Sequence, residues 1–141
     1  DMFTDICFEN IYNYWDRIGD LIAACIDTGL KKRDIYFSNV MEKTPDKFKD
    51  NENFGWLKSF QLTKFKNLNE KRINVVHYFS TGTNFRYRHI ESSTDKEKIN
   101  KLMTERRSFP SFFKGAIKDT IKGFQNTLDF LIYVQEIEKK S

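Results

Sequence analysis

The feature that most constrains the fold is a long amphipathic pattern near the start of the chain. Between Asp5 and Thr28, apolar residues recur every three or four positions on a stripe about 100° wide. These positions are Cys7 or Phe8, Ile11, Tyr14 or Trp15, Ile18, Leu21 or Ile22, and Cys25. This spacing is typical of a helix that buries one face, and Gly29 suits the chain reversal after it. We therefore predict a long first helix.

A second long pattern closes the chain. It starts near Ser108 and Pro110 and runs to about Lys139, with a predicted core stripe of Phe113, Ile117, Ile121 or Phe124, Leu128, Leu131 and Val134. We expect this helix to pack against the first one. Shorter helices are predicted around Phe37, Val40 and Met41, over residues 53–66, from Asn67 or Asn69 to about Ser80, and from Ser93 or Thr94 to about Arg107. Residues 44–52 and 82–93 are predicted loops.

Only residues 75–79 show a hint of strand-like alternation, and no internal repeat is visible. The predicted fold class is therefore all-α: an up-and-down helical bundle of about five to six helices, with long first and last helices packed antiparallel. One domain is expected over residues 1–141. Since the first residue is Asp1 and not Met, two interpretations of the start are open: the sequence begins inside a longer chain, or it carries a tag remnant.

Composition supports a self-sufficient core. The 141 residues are 39 % hydrophobic and 16 % aromatic, which is enough without disulfides or metals. A mean hydropathy of -0.64 and the lack of long apolar runs predict no membrane span, and a cytoplasmic location is expected. Cys7 and Cys25 lie roughly 27 Å apart on one helix, so both are predicted to be free, buried thiols. With two histidines and no Cys/His cluster, neither a metal site nor a cofactor is expected.

Charge is distributed unevenly along the chain. Residues 1–30 carry six acidic residues and one arginine, whereas the whole chain has a net charge of +4, so the basic excess lies downstream. This balance is compatible with RNA or another polyanionic partner. A lysine-rich solvated surface is the alternative interpretation.

Most catalytic signatures are missing. The sequence has no glycine-rich phosphate loop, no Gly-x-Ser-x-Gly, no His-Glu-x-x-His and no spaced cysteine pairs. Asp16 and Asp20, four residues apart, could form a metal or acid–base pair, but this arrangement is more typical of a solvated helix face.

One remaining stretch carries candidate chemistry. In residues 71–78, Arg72 precedes His77 with four residues between them. This pattern resembles the Arg-x4-6-His motif of the HEPN superfamily, small all-helical domains whose motif-bearing members are metal-independent ribonucleases, often toxins of toxin–antitoxin or phage-defence systems. The residue after the arginine is commonly polar in that family. Here it is Ile73, with Asn74 one place later.

The resemblance implies a role for each motif residue. His77 would act as general base or acid on the ribose 2′-hydroxyl or the leaving oxygen, Arg72 would stabilise the phosphate, and Asn74 would orient one of them. Five residues of regular helix separate Arg72 and His77 by roughly 140°, so they do not share a face. They can cooperate only if Arg72 lies in a loosened first turn of the helix or if two protomers each contribute one residue. The resemblance implies a homodimer that brings two motifs together, with Ile73 and Tyr78 helping its interface.

A second candidate surface follows the motif helix. Arg86, Tyr87, Arg88 and His89 alternate basic and aromatic side chains in a predicted loop. Such residues can stack on RNA bases and bind phosphates. An ordinary surface loop is the alternative.

Two functional hypotheses follow. The first is a HEPN-like domain of a bacterial toxin or defence system that acts as a metal-independent endoribonuclease or an RNA-binding domain, with RNA, a second copy, and an antitoxin or other protein as partners. The second is a non-catalytic helical module for dimerisation or protein interaction. The sequence leaves open whether the chain is an enzyme.

Overall fold

The computed structural model describes the backbone of residues 2–79 and 96–141 and, within these ranges, all side chains except those of residues 2, 75–79, 98, 99 and 102. These ranges contain helices and no strand, so the all-α prediction is confirmed. The α-helices are α1 (Met2–Cys25), α2 (Phe37–Lys43), α3 (Glu52–Phe60), α4 (Lys66–Phe79) and α5 (Lys96–Lys139).

The long first and last helices are confirmed, but the number of helical rods is lower than predicted. A π-helical turn, Gln61–Phe65, joins α3 to α4, so the described residues form four rods. Short 3-10 turns at Lys32–Asp34 and Asp46–Phe48 lie in the connections around α2. None of the described helices combines the length and the hydrophobicity needed to cross a membrane.

The buried face of α1 resolves the choices that the sequence left open. Phe8, Trp15 and Ile22 are buried, whereas their neighbours Cys7 and Leu21 are exposed. Cys7 and Cys25 are free thiols, as predicted, but both are exposed, so the prediction that they are buried was wrong. Each cysteine lies one position before a buried residue. Because consecutive residues are about 100° apart around a helix, the cysteine side chains lie outside the core.

Trp15 is the centre of the core. Its ring stacks on Phe60 of α3 at 4.1 Å between centroids and lies 5.0 Å from Phe37 of α2. The predicted apolar side of α2, with Phe37, Val40 and Met41, is fully buried. On α5, Gly123 allows the close approach of Trp15, because a Cβ there would lie 2.1 Å from the indole Cη2. Four helices, α1, α2, α3 and α5, thus meet at the Trp15 side chain.

The predicted break at Asn67 or Asn69 was wrong. Helix α3 begins at a different asparagine, Asn51, whose side chain accepts hydrogen bonds from the backbone amides of Asn53 and Phe54. The chain then stays helical through Gln61–Phe65. A π turn brings residues five apart onto one face, which allows both Phe60 and Phe65 to be buried without a break.

Pro110 does not start a new helix, because α5 runs through it. A proline inside a helix removes one backbone hydrogen bond. The aromatic residues around it compensate by packing on α1: the rings of Phe109, Phe112 and Phe113 lie 5.6, 5.7 and 4.8 Å from that of Phe8. Tertiary packing therefore overrides the local signal.

The antiparallel packing predicted for the two long helices was wrong. Phe8 contacts Phe113, Tyr14 contacts Thr120 and Trp15 lies against Gly123, so the contacts advance in the same direction along both helices. Helices α1 and α5 therefore run parallel. The spacing of apolar residues reports which face of a helix is apolar but not the direction of the helix that covers it.

The predicted core stripe of α5 was wrong in the middle of the helix. Its central residues are exposed: Ile117, Ile121, Phe124 and Leu128. The buried residues in this part of the helix are Gly123, Thr127, Phe130 and Val134. At the two ends of the predicted stripe the prediction is confirmed, because Val134 is buried and Phe113 and Leu131 are partly buried against the core. The helix thus has a second apolar face that the described part of the chain does not cover.

Candidate functional site

Arg72 lies on α4, where that helix packs against α1, and its guanidinium is held from three directions. Nη1 donates to Oε1 of Glu9 at 3.0 Å, while Nε and Nη2 donate to Oδ1 of Asn69 at 3.3 and 3.1 Å. The guanidinium carbon lies 4.0 Å from the centroid of the Tyr12 ring, a cation–π distance. The side chain of Arg72 is 23 % exposed. This arrangement fixes the orientation of the guanidinium, and the side chain stays partly exposed to solvent.

Helical spacing explains how these groups meet. Asn69 precedes Arg72 by three residues on α4, and Glu9 precedes Tyr12 by three on α1, so each pair shares one helix face. Tyr12 is in turn stacked on Phe65 at 5.3 Å with an interplanar angle of 20°. The buried Phe65 therefore supports the tyrosine that supports the arginine.

Two of the five N–H groups of Arg72 remain after these contacts. Nε, one Nη1 hydrogen and one Nη2 hydrogen are engaged, and within the described residues no acceptor is found for the other hydrogen on each terminal nitrogen. Paired terminal N–H groups match the spacing of two oxygens of a phosphate or carboxylate. Chemically, this edge of the guanidinium can bind an oxyanion.

Carboxylates on α1 give the site a mixed charge. Burial, reinforced by the negative charge of Asp20, raises the pKa of Asp16 above its usual value, while a hydrogen bond from the backbone amide of Phe37, at 3.3 Å, opposes the rise. Burial, together with the charge of Asp16, also raises the pKa of Tyr12, and Arg72 opposes this.

The carboxylate pair noticed in the sequence, Asp16 and Asp20, has different contacts for its two members. Asp16 accepts a hydrogen bond from the backbone amide of Phe37, the first residue of α2, whereas Asp20 forms an ion pair with Arg17 at 3.0 Å. Among the described residues, no group of three or more His, Cys, Asp or Glu side chains is arranged to hold a metal ion. These contacts are those of a helix start and a surface ion pair.

The remaining motif residues are only partly placed. Ile73 and Asn74 are exposed on α4, and among the described contacts none joins Asn74 to Arg72. His77 lies on the same helix, but its side chain and that of Tyr78 are outside the described residues. Because α4 is a regular α-helix from Lys66 to Phe79, the backbone positions of Arg72 and His77 are separated by roughly 140° around its axis. The predicted RNA-contacting residues Arg86, Tyr87, Arg88 and His89 also lie outside the described residues, as does the predicted loop 82–93.

A cleft of about 270 Å³ opens beside α4, between α1, the π turn and α5. The aromatic side chains of Trp15, Phe60 and Phe112 line it. Lys64 and Asp119 also line it and form an ion pair 3.0 Å long. Sequence reasoning missed this cleft and also the residues that hold Arg72. The Asn69–Arg72 spacing was a readable local signal. The contact with Glu9, 63 residues away, depends on tertiary packing.

The comparisons with known proteins identify the family. The model of one HEPN-like family matches residues 1–132, nearly the whole chain. No curated protein and no solved structure matches. The match includes Arg72 and His77 and agrees with the all-helical architecture, so this chain belongs to the HEPN superfamily.

Proposed function

We propose that this HEPN-like chain binds RNA and cleaves it without a metal ion, as the cytoplasmic toxin or effector of a bacterial toxin–antitoxin or phage-defence system. The observation that carries the proposal is the fixed guanidinium of Arg72, which has two terminal N–H groups without an acceptor among the described residues. A pre-oriented donor pair binds phosphate with little loss of side-chain entropy. The net charge of +4 supports attraction of a polyanion.

The proposed reaction is an internal transesterification. His77, whose side-chain type titrates near neutral pH, accepts the proton of the ribose 2′-hydroxyl as that oxygen attacks the adjacent phosphorus. The P–O bond to the 5′ oxygen breaks, and that oxygen takes up a proton. Arg72 stabilises the negative charge that develops on the phosphoryl oxygens, and Asn74 orients one of the reacting groups. The products are a 2′,3′-cyclic phosphate and a 5′-hydroxyl.

The angular separation of Arg72 and His77 bears on how the site is assembled. Two protomers that each contribute one motif residue bring an arginine and a histidine to the same phosphate. In this proposal Ile73, exposed beside Arg72, lies in the contact between the two α4 helices. Arg86, Tyr87, Arg88 and His89 extend the RNA contact, and an antitoxin or other partner protein controls access.

A second function is favoured by one specific contact. Glu9 lies 3.0 Å from Arg72 and offsets its charge, which suits a residue that ties α4 to α1 better than one that binds phosphate. On this view the chain is a non-catalytic helical module for dimerisation or protein interaction. The two functions predict different RNA affinities when the charge of Glu9 is removed.

The first experiment measures cleavage of a mixed RNA pool in EDTA, with the product ends characterised. We expect cleavage by the parent chain with cyclic phosphate ends, and a loss of about 100-fold or more in His77→Ala. Arg33→Ala, which removes an exposed arginine of the first connection, is the matched control and should cleave normally. Inactivity of the parent across dimer-forming concentrations would favour the interaction module.

The second experiment separates a phosphate-binding Arg72 from a purely structural one. Glu9→Gln keeps the shape of the side chain but removes its charge. If Arg72 binds phosphate, RNA affinity at fixed salt should rise about fivefold, the equivalent of one unscreened contact between charges in water. If Arg72 only joins two helices, the variant should unfold more easily and bind RNA no better.

A further inference from the structure

The outer face of α5 carries a continuous row of large apolar side chains. Ile117, Ile121, Phe124, Leu128 and Ile132 are each between 43 and 59 % exposed. Their spacing of three or four residues keeps them on one side of the helix, over about 22 Å of its length. Isolated exposed apolar residues are ordinary, but a contiguous row of five marks a contact surface.

Charged residues beside this row are sorted by sign along the helix. Lys114, Lys118 and Lys122 lie on one flank toward the N-terminal end, and Asp129 and Glu136 lie on the same flank toward the C-terminal end. Lys122 lies over the ring of Trp56, at 5.8 Å. In the described ranges, the other four side chains form no ion pair.

We propose that a second copy of this chain covers the outer face of α5, with the two helices antiparallel and their centre near Phe124. The two copies are related by a two-fold axis perpendicular to the helices. The charged flank of one copy then lies along the charged flank of the other, and the two helices run in opposite directions. Lys118 then faces Asp129 of the partner subunit, and Ile117 packs against Ile132 of the partner subunit. The pattern is self-complementary, which a second copy satisfies directly.

A parallel pairing would not use this pattern. It would set this flank against the opposite flank of the other copy, so the lysines and the acidic residues of the two flanks would not meet. The apolar row alone would accept either direction. The order of the charges therefore selects the antiparallel arrangement.

This pairing is independent of the proposed ribonuclease function. Lys71 of α4 lies over the ring of Phe112, 5.3 Å from its centroid, so the Arg72 site is level with that part of α5. Phe112 is about 18 Å along the helix from the centre of the pairing, which sets the two sites about 36 Å apart along the helix axis. Pairing through α5 thus leaves the two Arg72 sites separate, and it differs from the dimer that joins two motifs.

Disulfide trapping tests both the surface and the direction. In a Cys7→Ser/Cys25→Ser background, we expect Phe124→Cys to cross-link to itself on mild oxidation, because this position lies at the centre. Ile117→Cys and Ile132→Cys should cross-link only when the two proteins are mixed, since a disulfide needs Cα atoms within about 7 Å. Self-linking at both end positions would show a parallel pair, and no linking at any position would overturn the proposal.

Charge exchange tests the flank. Lys118→Glu should raise the dimer dissociation constant about fivefold or more, as measured by sedimentation equilibrium. Lys118→Glu/Asp129→Lys should restore the parent value. Lys32→Glu, which makes the same charge change at an exposed lysine of the first connection, is the matched control and should leave this constant unchanged. A double variant as weak as the single one, or a parent that remains monomeric throughout, would contradict the antiparallel pairing.

Discussion

The two faces of α5 are both apolar, yet only one of them is buried within the chain. The inner face presents Gly123, Thr127, Phe130 and Val134 to the core, while the outer face leaves large side chains such as Phe124 in solvent. Over residues 117–128 the more hydrophobic face is the one left outside, whereas apolar residues such as Phe113 and Leu131 on either side of this segment pack against the core. The difference teaches that fit against neighbouring helices, more than hydrophobicity, chose the face that packs.

The inner face shows this fit at two small or polar residues. Gly123 leaves room for the indole of Trp15, and one turn later Thr127 is fully buried with its hydroxyl donating to the carbonyl of Gly123 at 2.7 Å. A larger residue at position 123 would push α5 away from α1. The inner face is thus specified by shape, whereas the outer face only needs a partner that is apolar.

The largest expected effect contrasts a phenylalanine from each face. Phe130→Ala should lower the free energy of unfolding by about 3–5 kcal/mol, because it leaves a cavity beside Phe54 in the core. Phe124→Ala should change it by less than about 1 kcal/mol when the chain is dilute and monomeric. Urea unfolding at low protein concentration measures both, and equal losses would show that α5 has no distinct inner face.

The next contrast concerns two glycines of α5. Gly123→Ala should destabilise the fold by about 1–3 kcal/mol, because the new Cβ collides with Trp15. Gly115→Ala meets nothing within 4 Å and should stabilise it by about 0.5–1 kcal/mol through helix propensity. Thermal and urea unfolding of the two variants measure the expected decrease and increase in the free energy of unfolding. A tolerated alanine at position 123 would contradict the close approach of α1 and α5.

A polar contact joins α1 to the edge of the inner face. The hydroxyl of Tyr14 donates to the backbone carbonyl of Thr120 at 3.0 Å, and Tyr14→Phe should cost about 0.5–1.5 kcal/mol. Tyr36→Phe, on a half-exposed tyrosine near α2, is the matched control and should be nearly neutral. Equal effects of the two variants would show that the Tyr14 hydrogen bond adds nothing to stability.

The same tyrosine makes a pH-dependent contribution. Burial raises the pKa of Tyr14 above its usual value of 10.0. Above about pH 10 the unfolded chain therefore releases this proton more readily than the folded one. The contribution of Tyr14 to stability is complete below pH 10 and is lost as the pH rises through its raised pKa. Tyr14→Phe should reduce this alkaline decline in urea unfolding, and an unchanged decline would exclude this residue as its source.

The smallest effect on unfolding is expected on the outer face itself. Ile121→Gln should change the free energy of unfolding of the dilute monomer by less than about 0.5 kcal/mol. At high concentration, the parent should show a melting temperature that rises with protein concentration, and the variant should lose this rise because self-association stabilises the folded state by mass action. A rise that persists in the variant would place the self-association elsewhere.

The candidate site shows the same division between local and distant information. The Arg72–His77 spacing could be found in the sequence, and the family match over residues 1–132 agrees with the resemblance that this spacing suggested. Glu9 and Tyr12 could not be assigned to Arg72 in advance, because their contacts cross more than 55 residues of chain. Side-chain pairs between helices depend on how the helices are rotated, which periodicity does not report.

Sequence alone determined the all-helical class, the long first and last helices, and the apolar side of α2, because the spacing of apolar residues is a local property that repeats with the helix. Tertiary structure decided the continuity of α5 through Pro110 and of the chain through the π turn, since aromatic packing around Phe8 and Phe60 outweighs the local helix-breaking signals. It also decided which face of α5 is buried. That choice depends on the room that Gly123 leaves for Trp15, a contact between residues 108 positions apart.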